Sequence, residues 1–110
     1  MLSTTKGIDL SSTYQETLAS ALADSVMPMA LEEVHLFGAA RREDDPQDVD
    51  VLLVYAPGNE RSAMRQIADP VREVLEARVD RPLDLLVLSR PEMEQTQFAL
   101  LEGSEVVWRR

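Results

Sequence analysis

The sequence predicts an α/β (α+β) fold in which helices pack on one face of a small mixed sheet and leave the other face for a site. Segments with apolar residues at helical spacing alternate along the chain with short apolar runs typical of strands. The chain has 110 residues, 45% of them hydrophobic, which is enough for one core and too little for two. We therefore expect one domain over residues 11–110, after a flexible polar lead-in over residues 1–10.

The first half of the chain predicts one helix and two strands. Hydroxyl side chains at Ser11-Ser12-Thr13 can cap a helix that runs toward Met27 and ends or kinks at Pro28. The first strand is expected over residues 34–37 and the second over residues 48–55. The stripe of this helix that should face the core consists of Leu18, Leu22, Val26 and Met29.

The second half predicts two helical regions and two strands. A helical region is expected over residues 60–78, and Pro70 should bend or split it. The third strand is expected over residues 83–88, the third helix over 91–101 and the last strand over 105–109. The inward residues of the region around Pro70 are predicted to be Met64, Ile67, Val71, Val74 and Leu75.

The net charge of the chain indicates which classes of macromolecule it can bind. The sequence has 11 basic and 20 acidic residues and a net charge of −9, and its basic residues form no cluster larger than a pair. Affinity for nucleic acid rests mainly on cations that neutralise phosphates, so free nucleic acid is not expected as a ligand. A basic protein partner suits this surface better.

Cysteine content and hydropathy indicate the cellular compartment of the protein. The absence of cysteine excludes a disulfide framework and a thiolate metal site. The first residues contain no apolar signal-peptide core, and no apolar run approaches the length of a membrane span. We expect a cytoplasmic protein without a membrane partner.

Nucleophilic catalysis has no support in the sequence. There is no cysteine, no Gly-x-Ser-x-Gly motif and no pairing of histidine with serine along the chain. The single histidine, His35, is expected to be partly exposed or hydrogen-bonded in its strand, because that is the commoner role of a lone histidine.

Three aspartates are the candidate catalytic and metal-binding residues. Asp48 and Asp50 open an apolar run, and the alternation of a strand places both carboxylates on one face, about 7 Å apart along the chain. Asp84 heads another apolar run. Mg²⁺ prefers carboxylate oxygens, and two such ions can hold the attacking and leaving oxygens of a phosphoryl transfer. The pattern predicts a Mg²⁺ or Mn²⁺ site with a nucleoside triphosphate as substrate.

The turn before the Asp-x-Asp strand suits phosphate binding. Gly38 lets backbone N–H groups approach phosphates closely, and Arg41 and Arg42 add positive charge. The candidate nucleotide-binding residues are therefore Gly38, Ala39, Arg41 and Arg42. The two arginines could instead neutralise the acidic run Glu43-Asp44-Asp45 that follows them, and both interpretations remain open.

Residues 34–55 resemble the signature of the DNA polymerase β-type nucleotidyltransferase superfamily, and the compact size resembles its minimal nucleotidyltransferase branch. In that family a strand ends in Gly-Ser, a loop with arginine follows, and an Asp-x-Asp strand and a third carboxylate bind metal. Gly38, Asp48, Asp50 and Asp84 match those positions. The Glu-Gly turn and last strand near the end of the chain also match, so the resemblance covers about residues 14–108.

The resemblance implies an enzyme that transfers a nucleoside monophosphate, AMP from ATP as the first choice, to a hydroxyl acceptor. Asp48 and Asp50 would hold both metals, and Asp84 would bind the catalytic metal and help to deprotonate the acceptor. Small stand-alone members act as antitoxins that modify a helical HEPN-type toxin protein. The resemblance therefore implies such a partner, and it is compatible with a homo-oligomer.

Two departures from the family pattern support an alternative. Ala39 stands where the family has its serine, and the loop before Asp48 is shorter than in the minimal branch. A lost hydroxyl removes one hydrogen bond to a charged phosphate, a loss of about 1.5–3 kcal/mol. The alternative is a catalytically degenerate binding module, an antitoxin or a subunit, that keeps the fold and acts by protein–protein contact. The sequence leaves the enzyme and the binding module open.

Overall fold

The computed structural model describes residues 12–41, 45–98 and 103–110, which contain a four-stranded mixed sheet. The strands in chain order are β1 (Leu31–Phe37), β2 (Val49–Tyr55), β3 (Leu83–Ser89) and β4 (Glu105–Arg109). Their order in the sheet is β3-β2-β1-β4. β1 runs antiparallel to both β2 and β4, whereas β2 runs parallel to β3. The predicted α/β class and mixed sheet are confirmed.

Three α-helices occur in the part of the chain that the structure describes: α1 (Ser12–Ala23), α2 (Asp69–Glu76) and α3 (Arg90–Thr96). The connections also contain single turns of other helix types. These are the 3₁₀ turns Gly38–Arg41 and Glu60–Ser62 and the π-helical turn Ala63–Ala68. The first of these turns joins β1 to the segment that leads into β2, so it lies at the end of the sheet where the candidate residues are.

One hydrophobic core lies between the sheet and the helices α1 and α2. β2 directs alternate residues into it, and the helices supply their apolar faces. The members from β2 are Val49, Val51, Leu53 and Tyr55, and the helical region adds Leu18, Leu22, Ile67, Val71 and Leu75. Leu52 and Val54 project from the other face of β2, yet they are fully buried as well. This central strand is therefore apolar on both faces, and α3 packs against it and against β3.

The predicted core stripe of the first helix is correct at its start and wrong at its end. Leu18 and Leu22 are fully buried, whereas Val26 is 97% exposed and Met29 is 86% exposed. The reason is that α1 ends at Ala23, before either residue is reached. Asp24 and Ser25 follow that end, and their side chains compete for backbone hydrogen bonds. Helical geometry is also disfavoured at Met27, because Pro28 follows it.

Pro70 divides the second helical region, as predicted. Proline lacks an N–H group and cannot donate to the carbonyl four residues earlier. The chain accommodates this with the π-helical turn Ala63–Ala68, and Pro70 then lies in the first turn of α2. The wider turn takes its own residues, among them Met64, out of the 3.6-residue period. Met64, predicted to face inward, is consequently 58% exposed.

α3 begins at a capping box and is interrupted after Thr96, inside the predicted range 91–101, and Phe98 is again helical. The hydroxyl of Ser89 accepts a hydrogen bond from the Glu92 N–H at 3.2 Å, and the Glu92 carboxylate accepts one from the Ser89 N–H at 2.9 Å. At the other end, Gln97 adopts a left-handed conformation with a φ of 54°, which stops the helix after Thr96.

Some predictions fall on residues whose structure is not described. The lead-in over residues 1–10 and the final part of the predicted third helix, residues 99–101, lie outside the described ranges. Within those ranges, no helix has the length and apolar character needed to cross a membrane.

The placement of the core can be tested with one buried and one exposed residue. Leu53 is fully buried in β2, so Leu53→Ala should lower the free energy of unfolding by about 2–5 kcal/mol through lost burial and a residual cavity. Urea denaturation measures this change. Met29→Ala is the control, and it should change the free energy by less than about 0.5 kcal/mol. Similar losses in both variants would contradict the exposed position of Met29.

Candidate metal and nucleotide site

Asp50 and Asp84 lie side by side on adjacent strands. They are direct partners in the parallel pairing of β2 with β3, so their side chains project from the same face of the sheet. Asp50 is partly buried and Asp84 is exposed. Both line a cavity of about 380 Å³, and its other lining residues are Phe37, Leu85, Leu86 and Phe98. Two of the three predicted aspartates therefore meet at one cavity.

Asp48 lies close to this pair but does not line the cavity. Asp48 is exposed and directly precedes β2. The next residue, Val49, donates its N–H to the Pro82 carbonyl at 2.9 Å, and this hydrogen bond begins the pairing with the segment that leads into β3. Its charge still acts on Asp50. Among residues 12–41, 45–98 and 103–110, no three acidic, histidine or cysteine side chains form a ready cluster for a metal ion. The structure thus shows a pair of carboxylates with a third nearby.

The surroundings of Asp50 disfavour its negative charge. Burial raises the pKa of this carboxyl, and the charges of Asp48 and Asp84 and a hydrogen bond with Asp84 raise it further. A divalent cation would remove this repulsion, and oxygen ligands are those that Mg²⁺ and Mn²⁺ prefer. The residues present therefore fit a metal of this class.

Gly38 brings the turn after β1 against the Asp50 carboxylate. Its φ of 75° lies in the left-handed region, which favours glycine. A Cβ at this position would stand 3.1 Å from the Asp50 Cγ and would overlap the carboxylate oxygen Oδ2. The close approach therefore requires glycine for its conformation and for its lack of a side chain.

The remaining predicted nucleotide-binding residues differ in their surroundings. Ala39 is partly exposed in the turn Gly38–Arg41. The guanidinium of Arg41 donates to the Gly103 carbonyl and lies 2.7 Å from the Glu105 carboxylate, so it is already engaged with the start of β4. Arg42 lies outside the described residues. The acidic run after the arginines reaches the described part at Asp45, whose ion pair is with Arg81.

An aromatic pair forms one wall of the cavity. The rings of Phe37 and Phe98 meet edge to face, with 5.0 Å between their centroids and an interplanar angle of 86°. This wall was not predicted from the sequence. No local spacing relates a strand end to the residue Phe98, which lies beyond α3, so no signal in the sequence could have identified the pair.

The architecture is similar to that of a solved protein. The crystal structure of a "putative nucleotidyltransferase" from Sulfolobus solfataricus at 1.40 Å resolution matches with a TM-score of 0.52 and 19% sequence identity. The match covers 94% of this chain and 86% of that chain. The chain has a nucleotidyltransferase-like fold. No family model and no curated protein matches the sequence.

A second polar cluster lies on the same nucleotidyltransferase-like sheet. His35 is 4% exposed, and its Nε2 lies 2.8 Å from a carboxylate oxygen of Glu33, which is 9% exposed. Its Nδ1 lies 2.8 Å from the hydroxyl of Ser104. The sequence did not indicate this pairing of histidine with serine, because the two residues are 69 positions apart. The contact depends on the pairing of β1 with β4.

Two arginines stabilise the charge of Glu33. Its carboxylate lies 3.2 Å from Arg90 and 3.3 Å from Arg109. Burial works to raise the pKa of Glu33, but the hydrogen bonds from His35 and Arg90 and the nearby positive charge outweigh it and lower the pKa. Glu33 therefore remains an ionised hydrogen-bond acceptor.

The contact between Gly38 and Asp50 can be tested with a second glycine as a matched control. Gly58 also has a positive φ, 93°, but a Cβ there would meet nothing within 4 Å. Gly58→Ala should therefore lower the free energy of unfolding by the conformational cost alone, about 1–2 kcal/mol, and Gly38→Ala by more. Thermal or urea unfolding measures both. In an Asp50→Ala background the extra loss should shrink, because only the Cβ of residue 50, at 3.3 Å, remains close, and an undiminished loss would contradict the contact.

The raised pKa of Asp50 predicts a pH-dependent effect of Asp50→Asn. A carboxyl with a raised pKa in the folded state binds more protons there than in the unfolded chain, so its contribution to stability falls as pH rises. The loss begins near the unfolded value, about 4, and is complete above the folded pKa. In metal-free buffer, Asp50→Asn should therefore gain stability relative to wild type as pH rises through this window. Urea titrations from acidic to neutral pH measure the difference, and a constant difference would contradict the raised pKa.

Proposed function

We propose that this protein is a metal-dependent nucleotidyltransferase, which transfers a nucleoside monophosphate from a nucleoside triphosphate to a hydroxyl acceptor. The observation that carries the proposal is the Asp50–Asp84 pair, aligned on adjacent strands at a cavity with Gly38 against the Asp50 carboxylate. The nucleotidyltransferase-like fold supports it, because a protein described as a putative nucleotidyltransferase has a similar architecture.

The residues of the chain have distinct roles in this proposal. Asp50 and Asp84, with Asp48 beside them, would hold Mg²⁺ or Mn²⁺, which when bound neutralises triphosphate charge. Asp84 is the exposed member of the pair, so it is the better placed carboxylate to accept the proton of an incoming hydroxyl. The turn Gly38–Arg41 would offer backbone N–H groups to phosphates. Arg41 could add its charge only by sharing or leaving Glu105.

The donor and acceptor follow from analogy and charge. ATP is the first donor to test, and the acceptor hydroxyl would belong to a protein partner. A net charge of −9 suits a partner with a basic surface. Small stand-alone members of the resembled family suggest a HEPN-type toxin in the cytoplasm, with this chain as its antitoxin.

A second candidate function is a binding module without transfer activity. Two observations favour it: Ala39 offers no hydroxyl to a phosphate, and the guanidinium of Arg41 is already paired with Glu105. Such a module would keep the fold and act through protein–protein contact. The acid pair would then remain without a catalytic role.

The enzyme proposal predicts transfer that depends on the acid pair. With ATP labelled at the α-phosphate and Mn²⁺, the wild type should label a protein in a lysate of the source cell. Asp50→Asn and Asp84→Asn should reduce labelling at least about tenfold, because each removes a metal ligand. Mg²⁺ should also raise the melting temperature of the wild type by mass action, and Asp50→Asn should lose this shift.

Two further variants complete this experiment. Asp24→Asn removes an exposed carboxylate paired with Arg78 and should keep both the transfer and the metal-induced shift. An equal shift in Asp50→Asn would show that the ions bind the general acidic surface.

Ala39→Ser should increase transfer roughly tenfold if the turn holds phosphate, since a hydroxyl adds one charged hydrogen bond. Absence of labelling by wild type and Ala39→Ser, together with co-purification of a partner, would favour the binding module.

A further inference from the structure

The outer edge of β3 has the features of a surface that receives another strand. In the part of the chain that the structure describes, β3 is the last strand of the sheet, so no strand lies along its outer row of backbone groups. Its residues 85–88 are leucine or valine, and all four are partly exposed. Edge strands are usually protected from pairing by a charge or a proline, and these four residues include neither. The edge is therefore suited to an extended segment.

The register of β3 shows which backbone groups point to this edge. The Val49 N–H donates to the Pro82 carbonyl, and Val49 is the register partner of Leu83. In a parallel pair, Leu83 then directs its own N–H and carbonyl away from β2, and every second residue after it does the same. The Leu83 carbonyl already accepts a hydrogen bond from the Arg72 guanidinium at 3.3 Å, so pairing with a further strand would begin at Leu85. The residues with outward backbone groups are Leu83, Leu85 and Val87.

Asp84 lies at the position where a residue of an added antiparallel strand would come closest. The N–H and carbonyl of Asp84 point toward β2, so the residue opposite it would form a non-hydrogen-bonded pair, with Cα atoms about 4.5 Å apart. The two side chains of such a pair project from the same face of the sheet. A serine or threonine there would bring its hydroxyl within hydrogen-bond distance of the Asp84 carboxylate, whereas the longer side chain of tyrosine would carry its hydroxyl past it.

The cavity of the acid pair extends to this edge. It is lined by three consecutive residues of β3, which are Asp84, Leu85 and Leu86. Consecutive side chains project from opposite faces, so a cavity that contacts all three reaches the backbone of the strand. A residue of an added strand would lie one strand spacing, about 5 Å, from Asp84, with no strand of the described sheet between them. A hydroxyl there would be next to the carboxylates proposed to hold the donor.

We propose that the acceptor is an extended segment of a partner protein, which adds to the sheet antiparallel to β3 and presents a serine or threonine opposite Asp84. This inference rests on the proposed function, because the donor is the nucleoside triphosphate at the acid pair. The segment carries apolar residues opposite Leu85, Leu86 and Val87, which are partly exposed. Basic residues on either side of it suit a chain with a net charge of −9.

The transfer to this hydroxyl balances without any further reactant. The O–H bond of the serine or threonine breaks and its proton moves to the Asp84 carboxylate, while the oxygen forms a bond to the α-phosphorus of the triphosphate. The bond from that phosphorus to the oxygen that bridges to the β-phosphate breaks, and pyrophosphate leaves with the electron pair. Asp84 then releases the proton to solvent.

A second copy of this chain is a poorer occupant of the edge. Two β3 strands paired antiparallel over their full length would place Asp84 opposite Leu88. Such a pair sets a carboxylate against an apolar side chain, which is unfavourable. Both copies would also carry a net charge of −9 and repel each other. Register and charge therefore favour a partner of different sequence.

The test uses the full chain and the synthetic peptide Lys-Lys-Val-Val-Val-Val-Ser-Lys-Lys, whose serine would lie opposite Asp84. Fluorescence anisotropy should show that the labelled peptide binds without nucleotide. N-methylation of the valine directly before the serine removes the hydrogen bond to the Leu85 carbonyl and should weaken binding at least about tenfold. N-methylation of the valine one position earlier is the matched control. Its N–H points away from β3, so binding should not change.

Adding ATP and Mn²⁺ separates failure of this inference from failure of the proposed function. Mass spectrometry should find AMP on the peptide serine, and Asp84→Asn should abolish this transfer but keep the binding. Binding with the expected N-methyl pattern but without transfer would support the docking edge and place the failure in the proposed function.

Three results would overturn the inference. The first is absence of peptide binding, or equal weakening by both N-methyl groups. The second is transfer of AMP to a lysate protein at tyrosine alone, which would leave the proposed function in place. The third is self-association of the chain in solution that excludes the peptide, because the edge would then belong to a second copy.

Discussion

The register between β2 and its two neighbours is the constraint on which the site depends. In this register Asp50 faces Phe37 on one side and Asp84 on the other. A slip of one residue would turn Asp50 toward the core beneath α1 and α2 and bring Val49 or Val51 to the site. Such a slip would bury a carboxylate and expose apolar side chains, both of which are unfavourable. The hydrophobic core thereby fixes the position of the carboxylates.

The sheet carries two acidic centres whose surroundings have opposite effects on charge. Asp50 has other carboxylates beside it and a raised pKa, whereas Glu33 has arginines and a histidine beside it and a lowered pKa. An added cation would reduce the repulsion among the carboxylates at Asp50. The charge of Glu33 is already balanced by Arg90 and Arg109. The proposed metal would therefore bind at the Asp50 centre and not at the Glu33 centre.

Apolar runs indicated the four described strands, because residues that face a core must be apolar, but the first strand begins at Leu31, three residues before its predicted start. The last strand begins and ends where the prediction placed it, at Glu105 and Arg109. Periodicity failed where the backbone departs from an ideal helix, at the end of α1 and in the π-helical turn that exposes Met64. The contact of Ser104 with His35 was beyond prediction, since it arises only from strand pairing.

The parallel pairing of β2 with β3 has a consequence for the order of folding. β1 and β2 are antiparallel neighbours close in sequence, so their pairing closes a short loop. β3 reaches β2 through a longer crossover that contains the π-helical turn and α2, so this pairing closes a larger loop. Loop-closure entropy therefore favours formation of the β1–β2 pair before Asp50 and Asp84 come together.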